Sequence, residues 1–233
     1  MSKEKFERFC KVLNLIRGAR VIDIACGKGE YLVRFAELYD ISGVGVDKSP
    51  FCIRDCKEKL NTRMPEANLE FLEMDGADYR PDSPESFDLA MCLGASWVFG
   101  GHRGTLRALN GMTKPGGLIV AGEPYWLGEP SEDYLQASGM KRADYLTHHE
   151  NVLVGEEEGL KCVYTIVSDV NDWDHYETLQ LWAIDDHVRS NPEDPDNAEL
   201  LKRGASQREQ YLKWGRDTLN WAIYVFRKPT SRP

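Results

Sequence analysis

The chain has 233 residues, a length that suits one domain with a full hydrophobic core. Its formal net charge of -9 at pH 7 argues against nucleic-acid and anionic-membrane partners, which are bound through basic patches. No apolar run is long enough to span a bilayer, and the charged start of the chain does not have the form of a signal peptide. The six cysteines are scattered, so we expect a cytoplasmic protein without a disulfide framework or a metal site.

The first predicted elements are a helix, a strand and a second helix joined by glycines. An amphipathic helix covers about residues 3–16, and the β-branched run at 21–25 predicts a buried strand. Gly27 and Gly29 follow, and the next segment has helical periodicity through Leu38. Glycines let a ligand approach the main chain closely, and a helix start presents free N–H groups. This turn therefore suits an anionic or carboxylate-bearing cofactor.

The remaining segments repeat the strand–helix alternation. Strands are predicted at about 41–47, 69–76, 86–93, 118–122, 160–168 and 220–227, with a turn at Lys114–Gly117 before the fifth strand. A short helix is expected at 131–138, a helix opened by a capping box at 147–159, and two helical parts at 172–216 broken at 191–195. Five strand–helix units in series indicate a parallel sheet with helices on both faces.

Acids and glycines cluster where the predicted strands end. In parallel sheets, ligands bind beyond the carboxyl ends of the strands. Asp47 ends the second strand at the place where nucleotide-binding sheets carry a ribose-binding carboxylate, although capping of the next helix is an alternative interpretation. The long segments after the fifth and sixth strands, about 122–146 and 169–217, are predicted to form a helical cap over the cofactor.

These motifs resemble those of the class I S-adenosylmethionine (SAM) methyltransferases. The first motif of that family is acid-x-Gly-x-Gly-x-Gly, and Asp23, Gly27 and Gly29 fit it, with Ala25 in place of the first glycine. The segments 94–101, 122–126 and 173–177 are similar to those of a bacterial YjhP-like subgroup, over about residues 20–227. A dinucleotide fingerprint would require a third glycine where this chain has Leu32.

The resemblance implies a Rossmann-like α/β fold and a cofactor. The expected sheet has seven mostly parallel strands with the last antiparallel, in a single domain over 1–233 that carries the cap insertions. SAM is the implied cofactor and S-adenosyl-L-homocysteine (SAH) the product. In these enzymes a carboxylate at the position of Asp75 accepts from the adenine amino group, a simple turn aspartate being the alternative. The candidate cofactor-binding residues are Asp23, Ala25, Gly27, Gly29, Asp47, Lys48, Asp75, Gly76 and Leu93.

Methyl transfer from a sulfonium is an in-line displacement that depends on holding the nucleophile near the methyl carbon. The candidate general bases, in order of preference, are Glu123, Tyr125, His102 and Asp172. Aromatic faces attract cations, so the candidate substrate contacts are Trp97, Trp126, Trp173 and Tyr176, together with Tyr125 in an aromatic box; core packing is the alternative for each.

The expected function is transfer of a methyl group to a small-molecule acceptor, amine-containing or thiol, beneath the cap. Two alternatives stay open at this stage. One is a protein that binds SAM or SAH without transferring the methyl group. The other is a nicotinamide-dependent oxidoreductase, against which the missing third glycine counts.

Overall fold

The computed structural model describes residues 1–230 and is built on one seven-stranded sheet. Its strands, in the spatial order β3-β2-β1-β4-β5-β7-β6, are β1 (Arg20–Ile24), β2 (Ser42–Asp47), β3 (Asn68–Glu73), β4 (Phe87–Leu93), β5 (Thr113–Trp126), β6 (Lys161–Val167) and β7 (Leu219–Arg227). The helices are α1 (Lys3–Leu13), α2 (Glu30–Tyr39), α3 (Pro50–Arg63), α4 (His102–Met112), α5 (Glu132–Ser138), α6 (His148–Glu157), α7 (Val170–Ser190), α8 (Asn197–Gln210) and α9 (Arg216–Thr218). A π-helical turn, Tyr211–Gly215, joins α8 to α9.

Strands β1 to β5 are parallel, and β7 runs the other way. β1 pairs with β2 and β4, β2 with β3, and β4 with β5, all in parallel register. The start of β5 bonds to the end of β7, where Gly116 donates to the carbonyl of Lys228 at 2.9 Å. The end of β6 bonds to the start of β7, where Ser168 donates to the carbonyl of Trp221 at 2.9 Å. The predicted mixed sheet with an antiparallel last strand is confirmed.

The sheet order explains why ligand-binding residues gather at one edge. The order reverses between β1 and β4, and a crevice opens at such a switch point beyond the carboxyl ends of the strands. β1 and β4 are central and lie between helical layers, so their residues form a nearly continuous apolar core that includes Val21, Ile22, Leu89 and Met91, all fully buried. This rigid centre fixes the position of the residues just after each strand.

The predicted turn at Lys114–Gly117 is wrong, because β5 runs through it. Phe87 pairs with Thr113, whereas Leu89 pairs with Leu118, so the four intervening residues of β5 lie opposite a single residue of β4, Asp88. They form a large β-bulge, in which Gly116 has a φ of +80°. The Lys114 ammonium contacts both carboxylate oxygens of Asp88 at 2.9 Å and helps to hold the bulge. Glycine and proline are found both in turns and in β-bulges, so the sequence pattern alone does not distinguish a turn from a bulge here.

The chain forms two compact units. The first, which we call the sheet unit, comprises Phe6–Glu123, His149–Ile166 and the chain from Ile223 onward. The second, which we call the helical unit, comprises Met1–Lys5, Pro124–His148 and Val167–Ala222. The two predicted cap segments, 122–146 and 169–217, therefore come together almost completely in the helical unit. Their closing over the cofactor stays a prediction.

Within the helical unit, α7 and α8 pack against each other. Gly204 of α8 lies so close to α7 that an added Cβ would be 3.0 Å from Cδ1 of Ile184. The helices break between Asn191 and Asp196, as predicted from the two prolines of that segment. In the part of the chain that the structure describes, no helix is both long and apolar enough to cross a membrane.

Candidate active site

The turn after β1 contains three residues in left-handed conformation. Ala25, Gly27 and Gly29 have φ values of +57°, +53° and +69°. A Cβ on Gly29 would be 2.8 Å from Cε1 of Phe71 and 2.9 Å from Sγ of Cys56, so only glycine fits there. Across residues 1–230, nothing lies within 4 Å of a Cβ added to Gly27, so this side of the turn is open to a ligand.

Two cysteines, Cys26 and Cys56, form hydrogen bonds with the glycine turn. The Cys56 thiol donates to the carbonyl of Gly27 at 3.2 Å, and the Gly29 amide donates to the carbonyl of Cys26 at 3.0 Å. The hydrogen bond between the thiols of Cys26 and Cys56, together with burial, raises the pKa of Cys26 well above its ordinary value. The Cys26 thiol therefore stays protonated. All six cysteines are free.

Asp23 is a buried acid at the centre of the sheet, with only 2% of its surface exposed. Burial, followed by the nearby Cys56 and Asp47, raises the pKa of its carboxyl group well above the ordinary range. Its Oδ2 atom has no hydrogen-bond partner anywhere in the described chain. A buried carboxyl oxygen without a donor is costly, and a bound ammonium group would satisfy it.

Asp47 is the last residue of β2 and contacts the glycine turn that follows β1. Its Oδ2 accepts from the Gly27 amide and its Oδ1 from the Ser49 amide, both at 2.9 Å. Ser49 in turn caps α3 by accepting from the Cys52 amide at 3.3 Å, so the two interpretations of this region hold together. Each carboxylate oxygen of Asp47 keeps a second lone pair for a ligand hydroxyl. The neighbouring Lys48 is exposed.

The other predicted cofactor residues lie at the ends of β3 and β4. Asp75 is exposed, and its Oδ1 accepts from the Ala77 amide at 2.9 Å in a 3₁₀ turn, which leaves Oδ2 available. Gly76 is buried because its backbone packs on Ile24, whose Cγ2 would be 2.5 Å from an added Cβ. Leu93 is half-buried at the end of β4.

Glu123, near the carboxyl end of β5, has the properties of a general base. Glu123 is 5% exposed. Burial raises its pKa to about 7, and a hydrogen bond from Ser96 offsets part of this rise. The Ser96 hydroxyl donates to Oε1 at 3.0 Å, while Oε2 is buried and has no partner among residues 1–230. The pKa of Cys92 is raised to about 12 by burial and then by Asp23 and Glu123, so both acids act on that one thiol.

The three other candidate bases have environments that suit proton transfer less well. His102 is buried, donates from Nε2 to the carbonyl of Asn151 at 3.0 Å, and has its pKa lowered to about 4, chiefly by burial. Tyr125 is 4% exposed, packs against His148 with 5.0 Å between ring centroids, and has a pKa raised by burial. Asp172 accepts from Lys5 and from the Asp169 amide, and these contacts outweigh burial and lower its pKa.

The predicted aromatic residues have different environments. Trp126 is 3% exposed, and its indole N–H donates to the carbonyl of Arg142 at 2.9 Å, as in a core residue. Trp173 contacts Tyr176 edge to face, and its indole donates to Oδ1 of Asn220 at 2.7 Å. Trp97 belongs to the sheet unit and is 70% exposed on a 3₁₀ turn after β4. Core packing therefore explains Trp126, whereas Trp97 remains available to a substrate.

The sequence analysis did not single out Ser96, which lies within the segment 94–101. Ser96 and Glu123 are 27 residues apart, but they lie just beyond Leu93 and Gly122, the last residues that β4 and β5 pair in register. A hydroxyl and an acid just beyond paired strand ends were the signal that could have found this contact.

Comparison with known proteins agrees with this geometry. A family described as a methyltransferase domain matches residues 21–117. The Escherichia coli protein YjhP is 29% identical over 226 residues, which cover 96% of this chain and 90% of YjhP. Its crystal structure has a TM-score of 0.90 to this chain, covering 97% of it and 92% of the YjhP chain.

Two similar solved structures contain a cofactor product. SAM-dependent methyltransferases from Geobacter sulfurreducens and Thiobacillus denitrificans, both in complex with S-adenosyl-L-homocysteine, are 28% and 31% identical to this chain. Their TM-scores are 0.90 and 0.89, and each comparison covers 97% of this chain and 91% of the other.

The residues of the sheet unit fit SAM. The unpartnered Oδ2 of Asp23 suits an ammonium group, the free lone pairs of Asp47 suit the ribose hydroxyls, and the open side of Gly27 lets a ligand reach the main chain. The nicotinamide alternative is excluded by the family match, and the position of its third glycine is taken by the fully buried Leu32. The chain therefore belongs to the class I SAM-dependent methyltransferases of the YjhP type, and its cofactor is S-adenosyl-L-methionine.

Proposed function

We propose that the protein transfers the methyl group of SAM to a small-molecule acceptor, an amine or a thiol, with Glu123 as general base. The observation that supports this proposal is that Glu123 is buried, has a pKa of about 7 and has one oxygen without a hydrogen-bond partner among the described residues. A base of this pKa matches neutral conditions, where it is partly ionised and still able to take a proton.

The cofactor is held by residues at or just beyond the carboxyl ends of β1, β2, β3 and β4. In this proposal Asp23 contacts the ammonium group of SAM, Asp47 its ribose hydroxyls and Asp75 its adenine amino group. Gly27 and Gly29 present backbone to it, while Ala25, Lys48, Gly76 and Leu93 line the same edge of the sheet. The support is that four separate strand ends bring these residues to one edge.

Glu123 completes the chemistry on the acceptor. SAM supplies a methyl group on a positively charged sulfur, which leaves as the neutral thioether SAH when the acceptor attacks in line. The Oε2 atom of Glu123 takes the proton that the acceptor nitrogen or sulfur loses as the new bond to carbon forms. The Ser96 hydroxyl holds the other oxygen of the carboxylate and so orients it. Trp97, exposed on the turn that carries Ser96, is the aromatic residue proposed to contact the acceptor.

The first experiment measures binding and then transfer. Calorimetric titration is expected to show micromolar affinity for SAM and SAH and no binding of NAD. Protein incubated with methyl-labelled SAM and a panel of small amines and thiols is then expected to yield labelled acceptor. Tight SAM binding with no transfer to any acceptor would favour a SAM-binding protein without activity. Failure to bind either SAM or SAH would contradict the proposed function altogether.

Glu123→Gln tests the base directly. The substitution keeps the shape and the contact with Ser96 but removes the proton acceptor, so turnover is expected to fall by about 10²–10⁴-fold. The SAH dissociation constant is expected to change by less than about threefold, roughly 0.6 kcal/mol, because Glu123 is not among the proposed cofactor contacts.

The matched control for Glu123→Gln is Glu66→Gln, which removes an exposed carboxyl group of the sheet unit. It is expected to have wild-type turnover and wild-type SAH affinity. Wild-type turnover of Glu123→Gln with the accepted substrate would remove Glu123 from the mechanism and leave Tyr125 as the next candidate.

A further inference from the structure

The helical unit contains a cavity that none of the proposed cofactor residues lines. Its volume is about 250 Å³, a little below the range of drug-sized pockets and suited to a small metabolite. It lies among α5, the first half of α7, the end of α8 and the π-helical turn. The lining residues that matter here are Tyr134, Trp173, Glu177, Gln207, Gln210 and Tyr211.

Glu177 gives this cavity a negative charge without a counter-ion. Its Oε2 accepts from Nε2 of Gln207 at 3.3 Å, and the same amide nitrogen donates to Oε1 of Gln180 at 3.1 Å. In the described part of the chain, no lysine, arginine or histidine forms an ion pair with Glu177. Burial raises the pKa of Glu177, although the Gln207 hydrogen bond acts against the shift. The group is therefore a half-buried acid that a cationic ligand would stabilise.

Arg216, a cation of the helical unit, already forms an ion pair with Asp174. Arg216 contacts both carboxylate oxygens of Asp174, at 2.9 and 3.0 Å. Asp174 also accepts from the Tyr211 hydroxyl at 2.7 Å, so this acid is neutralised and fully engaged. Lys213 lies over the ring of Trp214, 4.1 Å from its centroid. The net charge that the cavity presents therefore comes from Glu177.

Aromatic rings supply the rest of a cation site. The polar ends of Trp173 and Tyr211 are bound elsewhere, to Asn220 and Asp174, so their ring surfaces are what remains to line the cavity. Ring faces together with one carboxylate are the usual means of recognising an organic ammonium ion. Tyr211 begins the π-helical turn, a local distortion that is frequent at functional sites.

We propose that this cavity binds a small organic ammonium ion, with the Glu177 carboxylate as counter-ion and the rings of Trp173 and Tyr211 around the cation. The amide oxygens of Gln207 and Gln210 then offer acceptors to a polar substituent of the same ligand, because their amide nitrogens already donate within the unit. The inference goes beyond the proposed methyl transfer, because binding at this cavity requires neither SAM nor a reaction.

The test compares charged probes with neutral molecules of the same shape. Choline is matched with 3,3-dimethylbutan-1-ol, and propylamine with propan-1-ol, in calorimetric titrations of the full chain at pH 8. At least one ammonium probe is expected to bind at least about tenfold more tightly than its neutral partner, a difference of about 1.4 kcal/mol. If neither ammonium probe binds more tightly than its neutral partner, the proposal is overturned.

Glu177→Gln is the informative variant, because it keeps size and hydrogen bonding and removes the charge. It is expected to weaken ammonium binding about tenfold and to leave the neutral probes unchanged. Glu209→Gln, which removes an exposed charge from α8, is the matched control and is expected to bind like the wild type. SAH affinity, measured on both variants, reports that they are folded. Equal ammonium affinity in Glu177→Gln and the wild type would contradict the proposal.

Methyl-labelled SAM separates two roles for the ligand. Labelling of propylamine that is lost in Glu177→Gln would identify the cavity ligand as a methyl acceptor, whereas labelling that is unchanged in that variant would identify a cavity ligand that is not consumed. In both cases the weaker ammonium binding of Glu177→Gln is the result that assigns the cation to the cavity. Ammonium binding without any methyl transfer would count against the proposed function alone, and SAH binding without ammonium binding would count against the cavity alone.

Discussion

At the scale of single residues, Glu123 and Asp23 are buried acids that each have one oxygen without a donor in the described chain. Such groups cost stability, and proteins retain them where a ligand or a reaction uses them. Raised pKa values also follow from this burial, so both groups hold a proton to a higher pH in the folded state than in the unfolded chain.

This burial predicts how the stability of a Glu123 variant depends on pH. The folded-state pKa of Glu123 is raised to about 7, so from its ordinary range up to that value the folded state holds a proton that the unfolded chain releases. Stability therefore falls as pH rises through this window, and Glu123→Gln removes that fall. The variant is expected to be more stable than the wild type by about 2–3 kcal/mol at pH 8 and nearly equal to it at pH 4.

Urea unfolding of the ligand-free protein and the variant at several pH values measures this difference. Asp185→Asn, at an exposed acid of α7, is a control that is expected to show no pH-dependent gain. A stability difference between Glu123→Gln and the wild type that stays constant from pH 4 to pH 8 would argue that Glu123 is not buried as described.

The position of Glu123 after a predicted strand made it a candidate base, but the sequence did not predict its burial or its raised pKa. The pKa and the contact with Ser96 depend on how two strand ends pack, which one chain segment does not reveal. Asp172 illustrates the reverse case. Asp169 and Asp172 are three apart, the spacing of a capping box, and in the structure each accepts from the other's amide at the start of α7. That spacing was visible in the sequence and favours a structural role over a catalytic one.

At the scale of elements, the glycine turn between β1 and α2 permits a paired test. Gly29→Ala forces a side chain into a left-handed position and against Phe71 and Cys56, whereas Gly18→Ala meets the same backbone strain with no neighbour within 4 Å in the described residues. Gly18→Ala is expected to cost about 1–2 kcal/mol, from backbone strain alone. Gly29→Ala is expected to cost about 1–3 kcal/mol more, from overpacking.

Thermal or urea unfolding measures both costs, and titration with SAH adds a second measurement. SAH affinity is expected to fall in Gly29→Ala, because the turn must move, and to stay at the wild-type value in Gly18→Ala. Equal stability and equal affinity of the two variants would mean that Phe71 and Cys56 move aside freely.

Alternation of strands and helices predicted nearly every element, because short apolar runs such as β1 and β7 alternate with amphipathic segments such as α1 and α2. The prediction failed where two structures share one composition. Lys114–Gly117 has the residues of a turn but forms a bulge within β5, and tertiary contacts decide between the two. Trp126 stays a predicted substrate contact, and its ring packs in the helical unit against Tyr134 and Tyr145.

At the scale of the whole molecule, three separate stretches of chain assemble the helical unit. Lys5, from the start of α1, contacts Asp169 and Asp172 at the start of α7. Side-chain exposure is 17% for Lys5 and 4% for Asp172, so this ion pair is largely removed from water. The sequence did not predict the pair, because 167 residues separate its members.

Asp172→Asn is expected to lower the free energy of unfolding by about 1–3 kcal/mol at pH 7, because Lys5 loses its buried carboxylate partner and keeps only the exposed Asp169. Turnover is expected to stay within about threefold of the wild type, roughly 0.6 kcal/mol in barrier, because the carboxylate of Asp172 already accepts from Lys5 and from the Asp169 amide. Because the pKa of Asp172 is lowered in the folded state, its contribution is present at neutral pH and is lost as pH falls through the folded-state value.

The control for this prediction is Asp185→Asn, which breaks an exposed pair with Arg189 on the same helix. It is expected to change stability by less than about 0.5 kcal/mol, as exposed pairs usually do. Urea unfolding at pH 7 compares the two variants. Loss of turnover in Asp172→Asn at full stability would return Asp172 to the candidate bases.

The bulge at the start of β5 has a consequence for how the chain tolerates changes of length. Between Phe87 and Leu89 β4 advances by two residues, while β5 advances by five, from Thr113 to Leu118. The surplus is taken up at the amino end of β5, away from the edge where Glu123 lies. An insertion within this bulge is expected to leave the pairing from Leu89–Leu118 to Leu93–Gly122 in register. It costs the contacts that the bulge itself makes, those of Gly116 and Gly117 with Lys228 and of Lys114 with Asp88. The α4–β5 junction is therefore a place where a peptide tag can be inserted, at some cost in stability, without displacing the proposed base.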